Sequence, residues 1–417
     1  MFRKIFVIAI IAILLIWLFG FNNGDIKPGN ERSSWWGFQS IDTMKYSRDI
    51  AREKLNDPKF DSIIDQQVRN IAETGATHIA IATPYDEEFY PFLKKWVDAA
   101  RKYDLKVWFR GNWSGWESWF GYSRIDRAEH IKKTEEFILK NSNIFENGDV
   151  FSACPECENG GPGDPRRNGD VDGHKKFLVE EYKSTKAAFK KIGKKVASNY
   201  ASMNGDVARV VMDRATTQAL DGVVTIDHYV ATPEKLIEDI KSIARVSGGK
   251  IVLGEFGAPI PDIHGRLTEK AQAEWLRESL GRLIDTPEVI GLSYWTNTGS
   301  STQLWKGDGS PRQAAGILKS FFKAAISRGS VIDEAGWGIG DAYLTIGNKR
   351  YFTDKNGRYE FPYFEHQENV IVSAPGFIRR EMAINPEEMN QIILKKEKED
   401  IWFRIRKLLH NLLSSTQ

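Results

Sequence analysis

The chain has 417 residues, of which 41% are hydrophobic and 27% are charged, and its formal net charge at pH 7 is +2. This length suits one large enzyme domain with a smaller module, and the composition excludes a chain that is disordered throughout. The body of the chain contains no block of Lys and Arg residues interleaved with aromatic residues, as a protein that follows a phosphate backbone would require, so nucleic acid is not an expected partner.

The first residues predict a membrane anchor. Arg3 and Lys4 precede an uncharged run from Ile5 to Phe21, and a polar stretch follows. As a helix this run would be roughly 26 Å long, close to the thickness of the hydrocarbon layer, and no small-x-small cleavage site follows it. Basic residues before the run, with none just after it, favour a cytoplasmic N-terminus. We therefore expect residues 1–24 to be an uncleaved transmembrane helix, with the catalytic body outside the cytoplasm at the cell surface or in the periplasm.

From Trp35 to Lys323, short β-branched or aromatic runs alternate with longer amphipathic stretches, which predicts βα units and a parallel sheet. The eight predicted strands, the number in a (β/α)8 TIM barrel, are Trp36–Ser40, Thr77–Ala82, Lys106–Arg110, Asp149–Cys154, Lys195–Tyr200, Gly222–His228, Lys250–Glu255 and Ile290–Trp295. The predicted helices are Phe60–Thr74, Phe92–Tyr103, Ala128–Leu139, His174–Lys191, Pro233–Ala244, Glu269–Ile284 and Arg312–Ala325. The fold class is thus α/β, and the barrel is expected over residues 30–328.

A small all-β sandwich is expected over residues 331–392, because helical periodicity ends near Ser330 and short alternating runs follow it. The predicted strands are Asp341–Ile346, Lys349–Thr353, Arg358–Phe361, Asn369–Ala374 and Phe377–Ile384. The segments Thr353–Tyr359 and Val372–Phe377 resemble the carboxypeptidase regulatory-like fold. Residues 396–414 predict an amphipathic helix that either docks on the sandwich or lies on the membrane surface.

Cys154 and Cys157 are the two cysteines of the chain, which excludes a framework of several disulfides. Their Cys-x-x-Cys spacing leaves open half of a zinc site, a local disulfide or two packing thiols. A structural zinc ion needs four ligands, and the sequence has no second Cys-x-x-Cys pair. The run Asn168–Gly173 begins like a calcium loop, but Val179 stands at its twelfth position. We therefore expect no metal and no other cofactor.

Two carboxylates end predicted barrel strands. Glu255 ends the seventh strand, and Glu156 follows Pro155 at the end of the fourth. Active sites of such barrels form at the carboxyl ends of the strands. Glycosidic cleavage needs one carboxyl group to protonate the departing oxygen and another to attack the anomeric carbon. Many barrels use acidic residues there in other ways, so the pair alone is compatible with several functions.

The stretch from residue 33 to 328 resembles the retaining glycosidases of glycoside hydrolase clan A, most nearly family 5. Four matches carry the resemblance: Leu253-Gly254-Glu255-Phe256-Gly257, Pro155-Glu156-Cys157, Asp227-His228-Tyr229 and Tyr294-Trp295. The resemblance implies that Glu255 is the nucleophile and Glu156 the acid/base. It also implies that the Tyr229 hydroxyl binds the nucleophile and that Trp295 forms the floor of the subsite for the scissile sugar.

The sequence departs from this family pattern next to Glu156. Pro155 stands where the family has an asparagine that contacts the sugar 2-hydroxyl, so Asn159 or Asn199 is expected to replace that contact. Glu158 is a second candidate for the acid/base. Arg110 is expected either to keep Glu255 ionised or to form a salt bridge at the rim.

Aromatic residues crowd the same loops and favour an extended cleft in which sugar rings stack on flat side chains. The predicted substrate-binding residues are Trp36, Arg110, Trp113, Asn159, Asn199, His228, Tyr229 and Trp295. The expected function is a retaining, endo-acting glycosidase that hydrolyses a β-linked poly- or oligosaccharide. Two alternatives remain open: a barrel that binds glycans without cleaving them, and a cell-surface transglycosylase.

Overall fold

The computed structural model describes residues 35–347, 349–364, 369–383 and 389–397. The predicted transmembrane helix over residues 1–24 lies outside these ranges, as does the predicted C-terminal helix from residue 398 onward. Within the described ranges, no helix is long and apolar enough to cross a membrane. The chain divides into two compact units, one spanning Ser34–Ala324 and another that contains the strands from Ala325 onward.

Eight parallel strands form the sheet of the first unit, in the order β4-β3-β2-β1-β8-β7-β6-β5. Their bounds are β1 Phe38–Asp42, β2 His78–Ile81, β3 Lys106–Phe109, β4 Val150–Phe151, β5 Ser202–Asn204, β6 Val223–Asp227, β7 Lys250–Phe256 and β8 Val289–Tyr294. A parallel bridge joins Val150 of β4 to Ala197, a few residues before β5, so the two ends of the sheet meet. The predicted eight-stranded α/β architecture is confirmed.

Helices follow the strands around this sheet. Their bounds are α1 Met44–Ser47, α2 Ala51–Lys54, α3 Phe60–Glu73, α4 Tyr90–Lys102, α5 Ser114–Glu117, α6 Arg127–Lys140, α7 Pro165–Asn168, α8 Val171–Lys191, α9 Gly205–Val211, α10 Arg214–Ala219, α11 Pro233–Ser247, α12 Pro261–His264, α13 Glu269–Ile284 and α14 Gln313–Phe322. Side-chain caps start several of them: Asp126 accepts from the backbone N–H of Glu129, and Thr268 from that of Ala271. The prediction for α13 matches the structure at both ends.

The fifth strand differs from its prediction. The sequence predicts Lys195–Tyr200, whereas β5 spans Ser202–Asn204 and pairs with β6. The predicted segment instead contacts β4, because the Phe151 N–H donates to the Ala197 carbonyl at 2.8 Å. Two short segments therefore link β4 to β6: the predicted segment Lys195–Tyr200 contacts β4, and Ser202–Asn204 pairs with β6.

The interior of the barrel is closed by a cluster of buried side chains from strands β1, β2, β3, β4 and β7: Phe38, Ala80, Trp108, Val150 and Val252. The Phe38 and Trp108 rings meet edge to face with centroids 4.8 Å apart, a favourable aromatic geometry. Trp108 is fully buried. The guanidinium carbon of Arg110 lies 4.9 Å from the centre of the Trp108 ring. The apolar cluster thus forms the floor beneath the polar residues at the carboxyl ends of the strands.

The second unit contains two β-sheets. Its strands are β9 Ala325–Ile332, β10 Tyr343–Ile346, β11 Lys349–Phe352, β12 Arg358–Tyr363, β13 Val370–Ser373, β14 Arg380–Met382 and β15 Met389–Ile393. One sheet has the order β11-β10-β13-β14 and the other β12-β9-β15. A tight turn precedes β12: Asp354 accepts from two backbone N–H groups, and Gly357 has a φ of +78°. The sequence did not predict β9 or β15.

Candidate active site

Ionisable side chains gather where the barrel strands end. Asp42 and Asp227 are the last residues of β1 and β6, Glu255 is the penultimate residue of β7, and Arg110 directly follows β3. Glu156 lies in the loop after β4. Because all eight strands run parallel, their carboxyl ends lie at the same end of the barrel, and residues distant in sequence meet there.

Glu255 is held by one hydrogen bond and one ion pair. The Tyr229 hydroxyl donates to Oε2 of Glu255 at 2.7 Å, and Nη2 of Arg110 lies 3.2 Å from Oε1. Glu255 is only 5% exposed, so these contacts fix its carboxylate in an environment with little water. Burial and then the charge of Glu255 raise the pKa of Tyr229 well above its usual range, so the phenol stays protonated and keeps donating.

Arg110 is the buried cation of this cluster. Nη1 donates to the Gly254 carbonyl at 2.5 Å and lies 3.5 Å from Oδ2 of Asp42, while Nη2 lies 2.9 Å from Oδ2 of Asp227. Burial alone would lower the pKa of Arg110, but the charges of Asp227, Glu255 and Asp42 outweigh it and raise the pKa. The guanidinium therefore remains charged beside Glu255.

Glu156 has the opposite environment. Burial of its carboxyl group, then the charge of Glu255, raises the pKa of Glu156 well above its usual range. Its backbone has a φ of +48°, and its N–H donates to the Ser202 carbonyl at 2.7 Å. Asn159 donates to Oε2 of Glu156 at 3.1 Å. The site thus offers one carboxyl group suited to hold a proton and, on the opposite side of the barrel, one that contacts a cation and a hydroxyl donor.

Glu158 faces a different set of groups. Its Oε1 accepts from the backbone N–H of Asn204 at 2.7 Å, and burial raises its pKa. The leading charges that act on its pKa are those of Asp164 and Arg166. For Glu156, by contrast, the charge of Glu255 is the leading one.

A disulfide joins Cys154 and Cys157 on either side of Glu156. Of the states left open by the sequence, the structure thus has the local disulfide, not packing thiols or a zinc site. Asn112 contacts Sγ of Cys154 at 3.7 Å, and the Trp116 indole N–H donates to the Cys157 carbonyl at 3.1 Å. Among the described residues, no group of three or more His, Cys, Asp and Glu side chains is arranged to hold a metal ion.

Trp295 follows β8 and lies beside these carboxyl groups. Its ring meets the Tyr229 ring edge to face, with centroids 6.0 Å apart, and Nζ of Lys45 lies 5.8 Å from the centre of the indole. The side chain is partly exposed. Of the predicted substrate-binding residues, Arg110, Asn159, Tyr229 and Trp295 thus come together with the two catalytic candidates.

The structure puts the other four predicted substrate-binding residues elsewhere. Trp36 is 2% exposed and precedes β1, at the amino end of the barrel. Trp113 is buried and donates to Oγ1 of Thr134 in α6 at 2.9 Å. Asn199 and His228 bind the Leu220 carbonyl and Asp239 of α11, at 3.1 and 3.0 Å. These four side chains thus pack in the interior of the unit or bind residues in the layer of helices around the sheet.

Asp42 is a member of the cluster that the sequence did not reveal. The first strand was predicted to end at Ser40, whereas β1 continues to Asp42, which is fully buried. The sequence signal that could have revealed Asp42 is its carboxylate two residues beyond the end of the predicted strand. Asp227 belongs to the motif Asp227-His228-Tyr229 but had no predicted role, and the structure shows it paired with Arg110.

No protein-family model matches the chain, and no curated protein matches it. Among solved structures, the chain is similar to a β-glycosidase at 13% identity and a TM-score of 0.48, covering 70% of this chain and 97% of that one. It is also similar to a GH5_18 protein from Bifidobacterium longum at 12% identity and a TM-score of 0.49, covering 72% of this chain and 84% of that one. A third similar structure is an FMN-binding β-glucuronidase from Facaelibacterium prausnitzii, at 11% identity and a TM-score of 0.48, covering 91% of this chain and 59% of that one. Such low identities and TM-scores do not assign a function.

Proposed function

We propose that the protein is a retaining, endo-acting glycosidase that hydrolyses O-glycosidic bonds of a β-linked poly- or oligosaccharide, with Glu255 as nucleophile and Glu156 as acid/base. The main support is the contrast between the two carboxyl groups. Arg110 and Tyr229 place a cation and a hydrogen-bond donor against Glu255, whereas burial and the charge of Glu255 favour the protonated form of Glu156. Double displacement needs this division of roles.

In the first step, a carboxylate oxygen of Glu255 bonds to the anomeric carbon while the bond from that carbon to the leaving oxygen breaks. Glu156 gives its proton to the leaving oxygen. The resulting glycosyl ester removes the negative charge of Glu255, so the pKa of Glu156 falls and its carboxylate becomes a base. Glu156 then takes a proton from water, whose oxygen attacks the anomeric carbon and releases Glu255. Two inversions give net retention.

Trp295 and Asn159 support this assignment because both lie where a substrate could contact them. Trp295 is partly exposed beside Tyr229 and offers an apolar face on which a sugar ring can stack. Asn159 is exposed and donates to Glu156, so its amide is near the reacting sugar. We assign to Asn159 the 2-hydroxyl contact that Pro155 cannot make, because Asn199 is bound to the Leu220 carbonyl.

We also propose that the enzyme acts outside the cytoplasm, anchored by residues 1–24. Arg3 and Lys4 before the apolar run favour this orientation. The disulfide between Cys154 and Cys157 is also of a kind that persists in oxidising compartments. The two-sheet unit after Ala325 is proposed to be a carboxypeptidase regulatory-like spacer.

A polysaccharide-array hydrolysis screen with the full chain tests the activity. We expect a β-linked glycan to be cut internally, with the new reducing end first released in the β configuration, as proton NMR would record. Glu255→Gln should abolish turnover and leave glycan binding measurable, and Glu158→Gln is the matched control that should retain activity. Substantial turnover by Glu255→Gln would sink the assignment. Binding without hydrolysis would support the binding-only alternative, and lengthened products would support a transglycosylase.

A further inference from the structure

Arg110 faces three buried carboxyl groups. Asp227, Glu255 and Asp42 lie 2.9, 3.2 and 3.5 Å from its guanidinium nitrogens, and their side chains are at most 7% exposed. If all three were ionised, this cluster would hold a net charge of −2 away from water. Burying uncompensated charge is costly, and a buried carboxyl group avoids the cost by keeping its proton.

Asp42 and Asp227 differ in what stabilises their ionised forms. Oδ1 of Asp42 accepts from the backbone N–H of Met44 at 2.6 Å, and the positive charge of Arg48 also acts on it. Oδ1 of Asp227 is buried and has no hydrogen-bond partner among the described residues. It packs against the α-carbon of Gly254, where a side chain would collide with it. The surroundings therefore favour the ionised form at Asp42 more than at Asp227.

The charges facing Asp227 from the neighbouring elements also oppose its ionisation. Glu255 on β7 and Glu158 after β4 are negative neighbours, and Arg110 is the cation that opposes them. Ser202 of β5 is a polar neighbour that favours the ionised form. Burial, and then these two carboxylates, outweigh Arg110 and raise the pKa of Asp227 well above its usual range. For Asp42 the balance raises the pKa only to about 7.

We propose that Asp227 carries a proton at neutral pH and is a positioning residue, whose neutral carboxyl group leaves the charge of Arg110 to Glu255. The consequence for Glu255 rests on the proposed function, whereas the protonation of Asp227 does not. A second ionised carboxylate at 2.9 Å from Arg110 would compete with Glu255 for the same cation. The neutral acid accepts the guanidinium hydrogen bond without that competition.

Thermal unfolding of the full-length Asp227→Asn variant, measured against pH, tests the proposal without any glycan. A carboxyl group whose folded-state pKa is raised lowers stability progressively as pH rises above its unfolded value of about 3.9. An asparagine has no such titration. We therefore expect the Tm of Asp227→Asn minus that of the unmodified chain to increase steadily between about pH 5 and pH 8. If Asp227 is ionised, the variant instead loses the partner of Arg110, and a lower Tm with no such rise overturns the proposal.

If Asp227→Asn does not fold, infrared spectroscopy still tests whether Asp227 carries a proton. The Glu156→Gln/Glu158→Gln double variant removes two other buried carboxyl groups whose pKa is raised and keeps Asp227. We expect a C=O band from a neutral carboxyl group in this variant at about pH 8, above the pKa of about 7 of Asp42 and Glu117. Absence of the band overturns the proposal. If the chain hydrolyses no glycan but gives both expected results, the proposed function fails while the protonation of Asp227 still holds.

Discussion

The Tyr229 hydroxyl donates to Oε2 of Glu255 at 2.7 Å, and this contact joins the loop after β6 to the end of β7. Tyr229→Phe removes this hydrogen bond and keeps the ring beside Trp295. A hydrogen bond to a charged group contributes about 1.5–3 kcal/mol, so we expect kcat to fall roughly 10- to 150-fold with a smaller change in KM. Steady-state kinetics on the glycan found by the screen measures this.

Tyr90→Phe is the matched control for that substitution. The Tyr90 hydroxyl contacts Oδ1 of Asn143 at 3.4 Å on the outside of the barrel, so its loss should leave kcat and KM unchanged. Equal kinetics for Tyr229→Phe and the unmodified chain would mean that Tyr229 does not support the nucleophile.

The pH dependence of activity should follow the raised pKa of Glu156. Burial and the charge of Glu255 raise that pKa, and the reaction needs the protonated form. Activity is therefore expected to persist through neutral pH and to fall as pH rises through the pKa of Glu156. Glu156→Gln should remove this alkaline limb from the pH profile and slow glycosides with poor leaving groups most. An unchanged alkaline limb in Glu156→Gln would assign the acid to another residue.

The barrel and the position of Glu255 near the end of a strand could be predicted because each rests on a local pattern. The apolar run of β7 ends at Glu255, and the helical periodicity of α13 gives both ends of that helix. The pairing of Arg110 with Glu255 was among the expectations. Its pairing with Asp42 and Asp227 could not be predicted, because these partners come from β1 and β6 and meet Arg110 only when the barrel closes. His228 shows the limit of the same reasoning: it is one residue beyond Asp227, yet it binds Asp239 on α11.

The second unit was less predictable for a related reason. Its strand β9 pairs with both β12 and β15, so pairing rather than sequence pattern makes Ala325–Ile332 a strand. Its burial alternates from Ser327 to Val331, but Ser327 and Gly329 on the buried face are small residues. Small residues give a weak β signal, and the apolar end of α14 precedes them directly.

The disulfide beside Glu156 should matter more for catalysis than for folding. It closes a loop of only four residues, for which chain entropy predicts a stabilisation of about 2 kcal/mol. Cys154→Ser/Cys157→Ser is therefore expected to remain folded with a slightly lower Tm. Its kcat should fall, because Glu156 lies inside this loop with a φ of +48°. Thiol titration of the unfolded chain without reductant should detect no free thiol, and two free thiols would contradict the pairing.

Gly254→Ala should disturb the site without touching a substrate. A β-carbon at this position would collide with Oδ1 of Asp227 and approach Cβ of Ser202 and Cγ2 of Thr225 at 3.1 Å. Overpacking of this kind costs about 1–3 kcal/mol, and the collision should displace Asp227 from Arg110. Gly281→Ala in α13 is the matched control, since a β-carbon there meets open space and a helical alanine gains up to about 1 kcal/mol. We expect thermal unfolding to give a lower Tm for the first variant and an unchanged or higher Tm for the second. Activity should fall only in Gly254→Ala, and full activity in that variant would show that Glu255 does not depend on the packing of Asp227.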